Sequence, residues 1–167
     1  FLLANPLHVI AIGFGSGLAP RAPGTVGTLW AWAAFLILRP HLGDVQWAWL
    51  IGIGFVLGCW ASAVTARHLG KADPGCVVWD EVIAFWIVLW LVTPASLLAQ
   101  TIAFALFRLF DAAKPGPVGW ADRCFKPRSG ATGEARIGWR EGLGIMLDDL
   151  VAALCTLLVI AAWRFVW

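Results

Sequence analysis

VQWAWLIGIGFVLGCWASAVTA, residues 45–66, runs for 22 positions without one Asp, Glu, Lys or Arg. At 1.5 Å per residue a helix of that length spans roughly 30 Å, the depth of a hydrocarbon core. A helix facing water needs a polar stripe along its outer side, and this run supplies none. Four further apolar stretches flank it: Thr25 to Leu38, Cys76 to Val92, Ala95 to Phe110, and Leu143 to Trp163. Pro40 and Gly43 close the first, and Pro94 separates the third from the fourth, which predicts tight hairpins near Arg39 to Asp44 and Thr93 to Ser96. Composition points the same way. Hydrophobic residues are 60% of the chain and charged residues 13%, where a soluble domain carries about a quarter. Twelve Trp and no Tyr suit the headgroup level. The expected fold class is therefore all-α: a polytopic membrane helical bundle of about five transmembrane or membrane-embedded helices in a single domain, 1–167. A soluble bundle with a very apolar core is the competing reading.

Charge distribution orients the bundle. Arg21, Arg67, Lys71, Arg108, Lys114, Arg123, Lys126, Arg128, Arg136 and Arg140 fall on the side of the long loops, against Arg39 and Arg164 on the other. Ten against two predicts that the long loops are cytoplasmic. A net charge of +2 is too small to imply nucleic acid. Cys59, Cys76, Cys124 and Cys155 show no paired metal spacing. No basic segment with a small-residue cleavage site is visible, so no cleavable signal peptide is expected. With Phe1 first and Met146 the only methionine, the natural start is expected upstream.

Acids are scarce, so their places are informative. Asp80 and Glu81 precede one apolar run, and Asp148 and Asp149 interrupt the start of another. A carboxylate about a turn into a membrane helix costs several kcal/mol unless it is paired or metal-bound. Two such pairs can hold a hard divalent cation through oxygen ligands. The plainer alternative is helix N-terminal decoration, worth roughly 0.3–1 kcal/mol each. Arg108, Asp111 and Lys114 recur at i, i+3, i+6, which places them along one helical face before Pro115 stops the helix. Two cations about one carboxylate suit a phosphate monoester beside a metal; an interfacial ladder of salt bridges is the alternative. Asp122 and Arg123 supply another such pair. The Gly/Pro-rich segment 13–28 ends at a helix start, where Gly24 permits close approach of an anion and Thr25 is placed as N-cap or phosphate ligand, with Arg21 nearby; an ordinary membrane-surface turn explains the segment equally well. A cysteine phosphatase motif is absent, His8, His41 and His68 lie in no S-G-H or H-E-x-x-H context, and no D-x-D-x-[TV] or G-x-S-x-G occurs.

Taken together, GFGSGLAPRAPGTVGT (13–28), VVWDE (77–81), FRLFDAAKP (107–115) and GIMLDDLVA (144–152) resemble the phosphatidylglycerophosphatase A family. The resemblance implies a bacterial inner-membrane, Mg²⁺-dependent phosphatase converting phosphatidylglycerol phosphate to phosphatidylglycerol and inorganic phosphate. Soluble relatives of the family imply an all-helical fold. One departure is a variable insertion at about 124–142, carrying Lys126, Arg128, Arg136 and Arg140. The expected site has Mg²⁺ on carboxylates among Asp80, Asp111, Asp148 and Asp149, which would polarise the phosphoryl oxygens. Glu81 serves as general base, and Asp80, Lys114 and Arg108 complete the catalytic set. Gly24, Thr25, Arg21, Arg123 and Asp122 are expected to bind substrate, an anionic phospholipid, with Arg123 also neutralising the phosphoryl group. Two rivals share these residues: a phosphatase for an isoprenyl or phosphatidic acid type of lipid phosphate, and a divalent-cation transporter. Acids gathered at one edge of the bilayer favour interfacial chemistry over transport.

Overall fold

The computed structural model describes residues 5–71, 73–125 and 139–166; the side chains at 121–125, 140 and 141 lie outside that description. Among the described residues all regular structure is helical. In chain order the α-helices are α1 (Pro6–Ala11), α2 (Pro23–Leu38), α3 (Asp44–Leu69), α4 (Trp79–Val92), α5 (Leu97–Ala113), α6 (Gly116–Phe125) and α7 (Trp139–Val166). Single turns of 3₁₀ helix occupy Arg39–His41, and a longer kinked one Gly13–Leu18. The five apolar runs correspond to α2, α3, α4, α5 and α7. The short helices α1 and α6, six and ten residues long, lie outside the five apolar runs.

Local chemistry sets the ends. Asn5 caps α1 by accepting from the Leu7 N–H at 3.0 Å, with Pro6 in the first helical position. The Gln46 side chain accepts from the Gly43 N–H at 2.8 Å, and Gly70 ends α3 in the left-handed conformation (φ 63°) that glycine tolerates. Ser96 caps α5 through the Ala99 N–H. One expectation is corrected here. Thr25 is not the N-cap of α2, because Pro23, with φ preset for a helix, starts it two residues earlier and leaves Ala22 in the cap position.

Helix α4 is the centre. It packs against α2, α3, α5 and α7, and Val82, Ile83, Ala84, Phe85, Val88 and Leu89 are fully enclosed. With 14 residues it is only about 21 Å long, and since its neighbours are protein rather than lipid it need not match a bilayer. Its indoles tie it to them: Trp79 Nε1 donates to the Gly54 carbonyl at 2.9 Å and Trp86 Nε1 to the Ala31 carbonyl at 2.8 Å. Close approach of α3 depends on Gly54 and Gly58, spaced small-xxx-small. A methyl at Gly54 would lie 2.7 Å from Ile83 Cδ1, and one at Gly58 2.5 Å from Trp79 Cδ1.

The outer faces are apolar. Val45, Trp49, Ile53, Val56 and Trp60 line the exposed side of α3, and Leu154, Leu158, Trp163 and Phe165 that of α7. Patches of this extent mark a surface meant for lipid or protein rather than water. Asp44–Leu69 and Gly142–Val166 are long and apolar enough to cross a membrane. The far ends of the helices are knit by Arg39 to Asp44 at 2.9 Å and by Arg164 Nη2 donating to the Val92 carbonyl at 3.2 Å.

Candidate metal and active site

The opposite ends of α2, α4 and α5 meet the N-terminal half of α7, and there the acids converge. Asp80 and Glu81 stand in the first turn of α4, where the helix dipole favours anions. Asp111 comes from the last turn of α5. Asp148 and Asp149 lie nine and ten residues beyond Trp139, deeper in their helix than the single turn the sequence led us to expect, because α7 is already helical at Trp139. Asp80, Asp111, Asp148 and Asp149 are all buried, and Glu81 nearly so.

Two cations are threaded among them. Arg108 pairs with Asp111 across one turn of α5, and its Nη1 stands 3.9 Å from Glu81 Oε1. Lys114 leaves the helical face on which its spacing placed it. It is the left-handed residue (φ 43°) that ends α5, and its Nζ donates to Asp148 Oδ2 of α7 at 2.9 Å. The backbone N–H of Asp149 donates to Asp148 Oδ1 at 3.2 Å. What these bonds leave over is informative: Asp80 Oδ1, Glu81 Oε2 and Asp149 Oδ2 are buried oxygens without a hydrogen-bond partner. An ionised carboxylate oxygen left so is expensive in a dry interior, and a cation ligand removes the cost.

The carboxylates fall into two sets, each with ligand atoms within 4.8 Å of one another. Asp80, Asp148 and Asp149 make one, and Glu81, Asp111 and Asp149 the other. All four expected metal ligands are thus brought together, and Glu81, expected as the general base, joins one of the two sets with the same capacity to ligate. Oxygen-only donors of this kind suit a hard divalent cation.

Gly24 belongs to the site through its backbone. A side chain there would run into Glu81 Oε1 and lie 3.2 Å from both Nη atoms of Arg108, so α2 approaches the pair as closely as a glycine permits. Thr25 is half-buried beside it. Arg21 is exposed on the preceding turn and makes no ion pair among the described residues. The side chains of Asp122 and Arg123 lie outside the described residues, as does 126–138 of the expected insertion. An apolar groove of about 480 Å³ at the other end of the bundle, between α5 and α7, contains Ile102, Leu106 and Trp163 but no carboxylate, so it is separate from this site.

Fold and site thus define an all-helical protein with membrane-competent helices and a buried acidic centre able to hold a metal ion. More particularly, the chain belongs to the phosphatidylglycerophosphatase A family, whose sequence pattern matches residues 9–164. It is 36% identical over 163 residues to a Haemophilus influenzae protein named phosphatidylglycerophosphatase A, covering 98% of this chain and 91% of that one. It is 35% identical over 150 residues to the Escherichia coli protein of the same name, covering 90% and 78%. A Bacteroides thetaiotaomicron protein carrying the provisional name phosphatidylinositol-3-phosphatase is 34% identical over 165 residues, covering 95% and 93%. No solved structure matches the chain.

Proposed function

We propose that this protein hydrolyses the terminal phosphomonoester of phosphatidylglycerol phosphate, giving phosphatidylglycerol and inorganic phosphate, with Mg²⁺ on the acidic centre. The observation that carries the reading is the set of buried carboxylates with unpartnered oxygens, flanked by Arg108 and Lys114, in a chain of this family. Mg²⁺ on Asp80, Asp111, Asp148 and Asp149 would supply Lewis-acid polarisation of the phosphoryl oxygens. Arg108 presents a planar fork that can grip two phosphoryl oxygens, and it already spans Glu81 and Asp111. Lys114, held by Asp148, places a second positive charge beside the same centre, where charge develops in the transition state. Glu81, with its free Oε2, accepts the proton of the attacking water. Gly24 lets the start of α2 come up against Glu81 and Arg108, which brings its backbone to the edge of the centre; Thr25, Arg21, Asp122 and Arg123 complete the expected headgroup contacts.

The same reading makes the protein a multi-pass protein of the bacterial inner membrane, with its centre facing the cytoplasm. Support comes from the bias of Lys and Arg to the loops at the site end. A lipid substrate then keeps its acyl chains in the bilayer while its phosphate reaches the helix ends. The domain is taken as one unit over 1–167, with 124–142 a variable insertion.

A second reading is favoured by the Bacteroides relative, whose name gives a different lipid phosphomonoester. Phosphate release from phosphatidylglycerol phosphate, phosphatidylinositol 3-phosphate, phosphatidic acid and an isoprenyl phosphate, each with Mg²⁺ and with EDTA, tests both. The expected result is release from phosphatidylglycerol phosphate at least tenfold faster than from the others, and none in EDTA. Faster release from another lipid overturns the substrate; undiminished release in EDTA overturns the metal.

A further inference from the structure

We infer that the acidic centre is built for two divalent cations held side by side, with Asp149 the carboxylate they share. This deepens the metal-dependent reading above and rests on it. The two carboxylate sets, Asp80–Asp148–Asp149 and Glu81–Asp111–Asp149, have only Asp149 in common. Each has the same internal make-up. One acid is already anchored by a basic side chain, Asp148 by Lys114 in the first set and Asp111 by Arg108 in the second. Another acid has an oxygen with nothing to bond, Asp80 Oδ1 in the first and Glu81 Oε2 in the second. The third acid, common to both, also has a free oxygen, Asp149 Oδ2. A single cation would satisfy one set and leave a buried orphan oxygen in the other.

Charge leads to the same count. Five carboxylates stand against Arg108 and Lys114, a formal excess of three negative charges among the described side chains. One divalent ion leaves the centre at minus one, which repels a phosphomonoester of charge about −1.5 to −2. Two bring it to plus one before substrate binds. A pair of ions in a phosphatase can clamp both the attacking and the leaving oxygens of an in-line displacement. Glu81 is then a ligand of the second ion rather than only a base, and Arg108 and Lys114 act as positioning residues for Asp111 and Asp148 as well as on the phosphate.

The test counts ions rather than turnover. The full chain in a neutral detergent is titrated with Mn²⁺ as the probe, without substrate, with bound ion counted by the loss of the free-ion EPR signal. Two Mn²⁺ per chain are expected, with a low-temperature spectrum showing a spin-coupled pair. Glu81→Gln and Asp80→Asn should each fall to one uncoupled ion, and Asp149→Asn to one at most, with thermal melting as the check on folding. Saturation of the wild type at one ion, or at two without coupling, overturns the inference, and that measurement needs no variant. Glu81→Gln that melts normally and still binds two ions also overturns it. The two readings fail separately. Phosphate release with a single bound ion removes the pair and keeps the phosphatase; two coupled ions without release from any lipid removes the phosphatase and keeps the pair.

Discussion

Replacing Gly24 by Ala separates the site from the fold more cleanly than removal of any charge. The added Cβ would be 3.2 Å from both Nη atoms of Arg108, tighter than ordinary van der Waals contact, and would overlap Glu81 Oε1. Both neighbours are the ends of flexible side chains, so they will yield and the backbone will not. Gly24 sits in ordinary helical conformation in the first turn of α2, and Ala is favoured over Gly in helices by up to about 1 kcal/mol. Stability should therefore change by less than about 1 kcal/mol. The displaced Glu81 carboxylate and Arg108 fork are another matter, because a misplacement of about 1 Å in such a site can cost 10²-fold in rate. We expect kcat for phosphate release from phosphatidylglycerol phosphate in mixed micelles to fall by about 10²-fold, equivalent to about 2.7 kcal/mol, with a smaller change in KM. Gly52→Ala, whose Cβ meets nothing within 4 Å, is the control and should leave kcat unchanged. A Gly24→Ala enzyme within threefold of wild-type kcat, or one whose melting falls as if it had lost more than about 2 kcal/mol, refutes the placement of Glu81 and Arg108 beside α2.

Lys114→Ala should lower kcat by about 10²-fold or more while KM moves little, since its charge is needed most in the transition state; steady-state kinetics on the same lipid check this, and an intact kcat removes Lys114 from the site. Orientation is tested in a cysteine-free background by membrane-impermeant labelling of intact cells: Gly43→Cys at the far end should react from outside and Gly75→Cys at the site end only after lysis, and the reverse pattern inverts the topology. His8 offers a pH prediction away from the membrane spans. Burial, and then the neighbouring His68, hold its imidazole below the ordinary value of 6.5. The unfolded chain therefore binds the proton more readily, so His8 adds stability above about pH 6.5 that is lost as pH falls below it. The melting temperature should drop between about pH 7 and 5, and His8→Asn should flatten that drop; an equal slope in the variant removes His8 as the cause.

Much of this protein was legible in one dimension. A run of 22 uncharged residues must find an apolar setting, and the need to pair every backbone N–H and C=O within it there favours a helix, so residues 45–66 point to the all-helical class. The acid pairs were legible for the same reason, since a carboxylate in an apolar run is kept only where it is used. Helix ends were less so: Pro23 outranked Thr25 at the start of α2, and α1 and α6 are short helices outside the long apolar runs. Only the tertiary structure could sort the acids. Neighbouring residues on a helix point about 100° apart, so Asp80 and Glu81, adjacent in sequence, are divided between different partners, Asp80 joining Asp148 and Glu81 joining Asp111. That Asp149 belongs to both sets, that Lys114 leaves its own helix for Asp148, and that Gly24 gives way to Glu81 and Arg108 all depend on how four helices cross. Hydrophobic pattern is a property of each segment, whereas a shared ligand is a property of their packing.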